Sequence, residues 1–321
     1  MEWECKVAVT TISFIGFIVT LKLLITFATW ILHTTFRSHN NLPRAYGSWA
    51  LVTGATEGIG KAFSHQLARR GLNLVLVSRT LSKLQTVACE IRAEHPGTLV
   101  KVVELDFGGG DVAEGLRRVE EACEGVEVGV LINNVGVTYP KAMYFDEVEE
   151  KVWRKIVRVN VEGTTRVTRM VLGGMLRRRK GAIVNLGSGA AVVVPSHPLF
   201  SIYAATKAYV DQLSRSLYVE YAQYGIHVQC QVPLYVATNM VSRVASIERD
   251  SLFVPTAEAY ARAAISEIGH KPRCTPYWAH SIQWCLANFI PDPLLDAWRL
   301  SIGMRRRNQN MRELIKDNVP H

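Results

Sequence analysis

The short apolar run Ser48-Trp49-Ala50-Leu51-Val52-Thr53 empties into Gly54-Ala55-Thr56-Glu57-Gly58-Ile59-Gly60, and a helix-like stretch from Lys61 to Arg70 follows. A strand that passes into a helix through glycines at 54, 58 and 60 opens a βαβ unit, which commits the chain to a parallel sheet. Glycine permits the tight turn and lets the backbone come close to a pyrophosphate. The positive end of the following helix then receives the anion.

The rest of the chain keeps this rhythm. Apolar runs at 72–77, 99–105, 129–132, 182–186 and 226–232 read as buried parallel strands, with helical stretches between them, among them 111–124, 147–178 and 203–224. The expected fold class is α/β, a doubly wound parallel sheet of the Rossmann type with ligands at the carboxyl ends of its strands. The strand after the glycine loop ends at Ser78-Arg79-Thr80. An NAD site places a carboxylate near this point for the ribose 2′-hydroxyl, yet no Asp or Glu occurs from Lys61 to Cys89. Arg79, with Lys83 one turn on, suits a 2′-phosphate by charge and fork geometry, so NADP(H) is the expected cofactor.

A chain of 321 residues can hold one core of roughly 230 residues plus appendages. Cysteines 5, 89, 123, 230, 274 and 285 show no paired spacing. They read as reduced core residues in a cytosol-facing protein, with no metal site and no disulfide frame. The net charge is +9, part of it in Arg177-Arg178-Arg179-Lys180 and Arg305-Arg306-Arg307. Such runs are ordinarily solvated faces; an anionic membrane surface or an acidic thioester carrier is the competing reading. No recognition motif supports nucleic acid.

Residues 7–32 depart from a soluble enzyme. They are long enough to cross a hydrocarbon core of about 30 Å with tilt, and Lys22 is their only charge. A lysine at the centre costs about 3 kcal/mol, whereas the 15 Val, Ile, Leu or Phe residues together offset about 4.5 to 9 kcal/mol. The apolar side wins, and Lys22 can snorkel. Glu2 and Glu4 precede the run where a signal peptide is basic, and no small-x-small site closes it, so an uncleaved anchor is expected. His33, Arg37, His39 and Arg44 follow, which places the bulk of the chain in the cytoplasm. The expected organisation is an anchor and linker over 1–45 (the linker running from Asn40 to Tyr46), a nucleotide-binding catalytic domain over 46–272 and a helical extension over 273–321.

That extension carries Tyr277, Trp278, Trp284 and Phe289, broken by Pro291 and Pro293. Leu294, Leu295, Trp298 and Ile302 then follow at the spacing of one helical face. The first piece is too short and too polar to span a bilayer. It reads as an interfacial helix pair, as an apolar cover over a substrate channel, or as a plain extension of the core.

Tyr203 and Lys207 stand four positions apart, so a phenol and an ammonium reach from one helical face. A neighbouring positive charge lowers a tyrosine pKa and makes the hydroxyl a usable acid and base near neutral pH.

Together, TGATEGIG (53–60), NNVG (133–136), Asn160 in VNVEG, Ser188 in NLGSG and YAATK (203–207) resemble the short-chain dehydrogenase/reductases over roughly residues 47–272. The longer strings GIGKAF, QVPLYVATNM and CTPYW look like the membrane-bound 3-oxoacyl-CoA reductases of fatty-acid elongation, especially the plant ones, whose relatives include the 17β-hydroxysteroid dehydrogenases. The resemblance implies that Tyr203 is the acid and that Lys207 holds the nicotinamide ribose and keeps the phenol acidic. Ser188 would hydrogen-bond the carbonyl oxygen, and Asn160 would hold a water linking Lys207 to solvent. It further implies cofactor contacts from Gly54, Thr56, Glu57, Gly58, Ile59 and Gly60. Asp106 would meet the adenine and Asn133 the adenosine side, while Pro233, Val236 and Thr238 would cover the nicotinamide end and its diphosphate.

Three positions depart from the family. Val135 replaces the usual alanine, Leu234 replaces the usual glycine, and Ser188 and Tyr203 are 15 apart where many members have 13. The extra residues fall in Pro195-Ser196-His197-Pro198, where His197 is expected at the loop surface. The tail Lys316-Asp317-Asn318-Val319-Pro320-His321 lacks a dilysine-type retrieval signal, so residence in the endoplasmic reticulum rests on the anchor. The leading expectation is reduction of long-chain 3-oxoacyl-CoA with NADPH at the cytosolic face of that membrane, with other elongation enzymes as partners and a homodimer left open. A steroid or other lipid ketone, and a catalytically idle scaffold of an elongation complex, are the alternatives.

Overall fold

The computed structural model describes residues 2–35 and 41–317. Arg37, His39, Asn40 and residues 318–321 lie outside the described residues. The chain divides into two compact units, Met1–His39 and Asn40–His321.

In the first unit, helix α1 (Glu2–Thr35) runs for 34 residues. Its stretch Glu2–Lys22 has a mean hydropathy of 1.6 and is long and apolar enough to cross a membrane. The hydroxyls of Thr10, Thr11 and Thr20 each donate to the carbonyl four residues back at 2.9 Å, so these polar groups are satisfied inside the helix as hydrocarbon demands.

In the second unit, seven parallel strands form one sheet in the order β3-β2-β1-β4-β5-β6-β7. They are β1 (Trp49–Thr53), β2 (Asn73–Ser78), β3 (Val100–Glu104), β4 (Val128–Asn133), β5 (Gly181–Leu186), β6 (Ile226–Gln231) and β7 (Arg273–Cys274). The order reverses between β1 and β4, and a crevice opens at the carboxyl ends there. Helix α2 (Leu42–Tyr46) precedes the sheet. Helices α3 (Gly58–Arg69), α4 (Leu81–Glu94), α5 (Val112–Cys123), α6 (Glu150–Val157) and α7 (Thr164–Arg178) connect its first five strands. Then come α8 (Gly189–Val192), α9 (Ser201–Tyr221), α10 (Asn239–Ala245), α11 (Ala257–Ser266), α12 (Trp278–Ala287) and α13 (Asp292–Asp317).

Successive strand residues point to opposite faces, and both faces are buried. Ala50, Val52, Leu74, Leu76, Val130 and Ile132 pack with Phe63 and Leu67 of α3, Leu84 and Ile91 of α4 and Tyr260 of α11. Their neighbours Leu51, Val75, Val77, Leu131 and Ile183 pack with Val119 of α5 and with Val167, Val171 and Met175 of α7. Burial on both faces is the reason the strands read as unbroken apolar runs.

Three expectations change. The helix expected over 147–178 is three pieces: α6, a π-helical stretch Arg158–Gly163, and α7. The widened turn holds Asn160, whose side chain is tied to a loop outside the helix. The seventh strand lies just past the boundary expected at 272, because Cys230 and Gln231 of β6 pair with Arg273 and Cys274. The six cysteines form no disulfide among the described residues, but only Cys230 and Cys274 are buried, while Cys5, Cys89 and Cys285 are exposed.

Candidate active site

The loop after β1 is locked to the loop after β4. Asn134 Nδ2 donates to the carbonyls of Thr53 (3.0 Å) and Gly54 (3.1 Å), and Thr53 Oγ1 accepts the amides of Asn134 and Val135, both at 3.1 Å. This proximity explains two glycines. Gly54 has φ +66°, and a Cβ there would lie 2.9 Å from Asn134 Nδ2; one at Gly60 would lie 2.2 Å from the Gly54 carbonyl oxygen. Val135, packed against Gly54, lines a cleft of about 830 Å3 together with Ser78, Arg79, Asp106, Gly136 and Val137. The glycine cradle at a helix start, the switch-point cleft and an arginine at the end of β2 together fit a dinucleotide phosphate.

The expected cofactor residues divide. Arg79 is exposed at the cleft and makes no ion pair among the described residues, whereas Lys83 is bonded to the Glu57 carboxylate. That bond and one from Asn239 hold Glu57 below the usual carboxylate range. Thr56 Oγ1 meets Ser78 Oγ at 3.0 Å, and Ile59 packs on the core. Asp106 lines the cleft and accepts the Gly108 amide at 2.8 Å. Thr238 caps α10, with its methyl 3.0 Å from where a Cβ on Gly58 would stand, so it touches the glycine loop.

Two of these residues are turned elsewhere. Asn133, 3% exposed, spends its amide on Thr168 and Asn185, both at 2.8 Å, tying β4 to β5 and α7 rather than meeting a nucleotide. The neighbouring Asn134 shapes the site instead. Val236, 1% exposed, is a core residue, whereas Pro233 faces the second cavity described below.

Ser188 ends the loop after β5 and caps α8: its Oγ accepts the Ala190 amide at 3.2 Å, and its hydroxyl meets the Tyr203 phenol. Both residues line a mostly apolar chamber of about 220 Å3. Burial raises the Tyr203 phenol above its ordinary value, and the hydrogen bond from Ser188 only partly opposes this. The expectation of a phenol made acidic by Lys207 is therefore corrected. Lys207 Nζ donates to the Leu186 carbonyl at 2.7 Å, and burial depresses its own pKa to about 8. The Asn160 side chain is tied down as well: Oδ1 accepts the Val137 amide at 2.8 Å, and Nδ2 donates to the Val137 carbonyl and to Thr206 Oγ1. It pins the cleft wall to α9 and keeps one Oδ1 lone pair for the expected water. Lys207 Nζ and Asn160 Oδ1 still converge, each within 3.5 Å of where a Cβ on Gly136 would be.

The chamber adjoins the cleft, since Thr138, Met240 and Val244 line both. Its far wall comes from the C-terminal helices through Ala287, Leu295, Trp298, Arg299 and Arg306, so the extension covers the site. The buried stripe of α13 is Leu295, Arg299 and Gly303, while Leu294 faces outward and Trp298, half-exposed, edges the chamber. The single face expected from 294, 295, 298 and 302 is thus split. Ser196 bonds Asp296, and His197 accepts from Arg299, which places His197 in the chamber wall and not at the surface. The arginine triplet is not one solvated face either, because Arg307 pairs with Glu147 and Arg306 enters the chamber. Tyr235, Arg299 and Arg306 were not anticipated. The available signal was an arginine one turn after Leu295, on the side of α13 that needs apolar residues.

Comparison with known proteins gives a concordant result. The family described as short chain dehydrogenase matches residues 48–249. A very-long-chain 3-oxoacyl-CoA reductase-like protein of Arabidopsis thaliana is 58% identical over 298 residues, covering 92% of this chain and 94% of that protein. An inactive hydroxysteroid dehydrogenase-like protein 1 of Homo sapiens is 40% identical over 277 residues, covering 86% and 81%. Among solved structures, a short-chain dehydrogenase from Sphingobium yanoikuyae in complex with NADPH matches with a TM-score of 0.63 at 26% identity, covering 85% of this chain and 96% of that one.

Proposed function

The chain belongs to the short-chain dehydrogenase family, and from that premise we propose that it reduces long-chain 3-oxoacyl-CoA to the 3-hydroxy product with NADPH. The observation that carries this reading is the placement of Ser188 and Tyr203 in the wall of an apolar chamber that adjoins a dinucleotide-sized cleft. The bound cofactor supplies the hydride. Arg79 and the glycine loop would hold its phosphates, and Asp106 would meet its adenine.

The chain's own groups handle the oxygen and the proton. A carbonyl oxygen set between Ser188 and Tyr203 accepts a hydrogen bond from each. As negative charge grows on that oxygen, Ser188 stabilises it and Tyr203 gives up its proton. The Tyr203 phenol enters the reaction protonated. Lys207 lies behind it with its ammonium on the Leu186 carbonyl, ready to hold a ribose hydroxyl. Asn160 positions Val137 and α9, and its remaining Oδ1 lone pair would hold a water linking Lys207 to solvent. Apolar side chains such as Val193, Val241 and Leu295 exclude water and accept an acyl chain.

The relative named as a 3-oxoacyl-CoA reductase-like protein and the apolar α1 support work at a membrane. We read 1–45 as anchor and linker, 46–274 as the catalytic domain closed by β7, and 275–321 as its helical extension. The anchor resides in the endoplasmic reticulum with the catalytic domain in the cytosol, beside other elongation enzymes. The human relative named inactive favours a second reading, an idle scaffold; intact Ser188, Tyr203 and Lys207 weigh against it.

The test is a substrate panel on detergent-solubilised protein, run with NADPH and NADH in parallel. It includes long-chain 3-oxoacyl-CoA, 17-ketosteroids and simple lipid ketones. Turnover of the thioester with NADPH is expected. Steroid turnover alone moves the substrate class, and no turnover of any ketone supports the scaffold.

A further inference from the structure

The chamber that holds Ser188 and Tyr203 also holds two guanidinium groups for which no described residue supplies a counter-ion. Arg299 is 8% exposed; its Nη2 donates to His197 Nδ1 at 2.8 Å, and its Nε has no hydrogen-bond partner. Arg306 Nη2 donates to the Tyr235 hydroxyl at 3.0 Å, with its guanidinium over the same ring at 5.5 Å. Neither forms an ion pair among the described residues. The nearby carboxylates are engaged elsewhere, Asp296 with Ser196 and Glu147 with Arg307.

Of the remaining partners, His197 brings no negative charge and Tyr235 is the one whose ionisation the arginines favour. Burial, reinforced by Arg299 and Arg306, pushes the His197 imidazole down to about 3, so it is neutral at working pH. Burial alone would raise the Tyr235 phenol, but the two arginines outweigh it and hold it below its ordinary value. Two guanidinium groups sharing one phenol and a neutral imidazole are costly to hold in a largely apolar chamber unless a ligand brings further negative charge.

We infer that Arg299 and Arg306 form an oxyanion-binding subsite of the substrate chamber, taking a phosphate or carboxylate that the substrate carries. The planar fork of a guanidinium suits either group. The phosphate form of the inference rests on the thioester reading above, since coenzyme A carries phosphates; the carboxylate form corresponds to a free 3-oxo acid as substrate. Residues 195–198 fit this role: Ser196 anchors α13 through Asp296, and His197 orients Arg299.

The experiment uses the full chain with saturating NADPH. Wild type, Arg306→Gln and Arg299→Gln are assayed on a 3-oxoacyl-CoA and on the same acyl group carried by N-acetylcysteamine, which has no phosphate. The loss of kcat/KM on the CoA thioester should exceed the loss on the truncated thioester by about tenfold, mainly through KM. Free coenzyme A and decanoate serve as competitive inhibitors, and the one whose inhibition weakens about tenfold in Arg306→Gln identifies the anion. Equal losses on both thioesters, with neither inhibitor weakened, overturn the subsite. Binding of inorganic diphosphate and of decanoate to wild type and Arg306→Gln, by calorimetry, keeps the question open to decision if no thioester is reduced. Binding of either that the substitution weakens upholds the subsite while the thioester reading falls; no difference for both sinks it. Arg306, part-exposed on α13, guards against misfolding of the buried Arg299 variant.

Discussion

Replacing Gly60 by alanine tests the nucleotide cradle through a distance. A Cβ at this position would lie 2.2 Å from the Gly54 carbonyl oxygen and 2.4 Å from Asn134 Nδ2, where ordinary contact begins near 3.4 Å. The partners are backbone and a side chain already bonded to Thr53 and Gly54, so relief requires the loop to retreat by about 1 Å. Overpacking of this kind costs about 1–3 kcal/mol, which lowers Tm by roughly 2–4 °C per kcal/mol in a domain of this size. A misplacement of about 1 Å also costs positioning, and NADPH affinity should fall at least about tenfold. Gly97→Ala is the control, since a Cβ there meets nothing within 4 Å; it should change stability by less than about 0.5 kcal/mol. Circular dichroism melts with and without NADPH, together with a fluorescence titration of the cofactor, give both quantities. If Gly60→Ala binds NADPH as tightly as wild type at an unchanged Tm, the loop is not the cradle described here.

Arg79→Ala should weaken NADPH by about 10- to 100-fold while leaving NADH nearly unaffected, because only the 2′-phosphate loses its partner; equal losses in titrations of both cofactors would remove Arg79 from the site. Lys207 is 6% exposed and titrates near 8 when folded against 10.5 for the free side chain. Between those values the unfolded chain keeps a proton the folded one has shed. The Lys207 contribution to stability therefore rises with pH from about 8 to 10.5, by at most ~3 kcal/mol, and its full cost stands below pH 8. Cofactor-free wild type should gain stability relative to Lys207→Met across that window in melts taken at several pH values; parallel curves would count against it. Breaking the Arg307–Glu147 pair with Glu147→Gln should loosen α13, seen as faster tryptic cleavage after Arg305 and Arg306; unchanged digestion would mean that the pair does not hold the helix.

The sheet was legible because its strands are buried on both faces, which leaves unbroken apolar runs such as 72–77. The glycine loop was legible because Gly60 cannot carry a side chain against Gly54. What the sequence hid is partnership between distant residues. Nothing local distinguishes Asn133 from Asn134, yet one spends its amide on Thr168 and Asn185 and the other holds the β1 loop. Tyr203 and Lys207 are one turn apart as read, but the Leu186 carbonyl captures the ammonium and burial raises the phenol, both effects of the β5 backbone and of packing. The roles of Arg299 and Arg306 depend on α13 folding over the chamber, which periodicity in 294–302 cannot reveal. Leu294 and Leu295 are adjacent, and only the fold decides which turns inward.

The central claim is that Tyr203 delivers the proton to a ketone oxygen shared with Ser188. Single-turnover oxidation of enzyme-bound NADPH by a long-chain 3-oxoacyl-CoA, in wild type and Tyr203→Phe, measures it most directly. The account predicts that the variant binds NADPH and substrate with near wild-type affinity, yet transfers hydride slower by about 10²- to 10⁴-fold, the range for loss of a positioned general acid. Hydride transfer at the wild-type rate in Tyr203→Phe would contradict it.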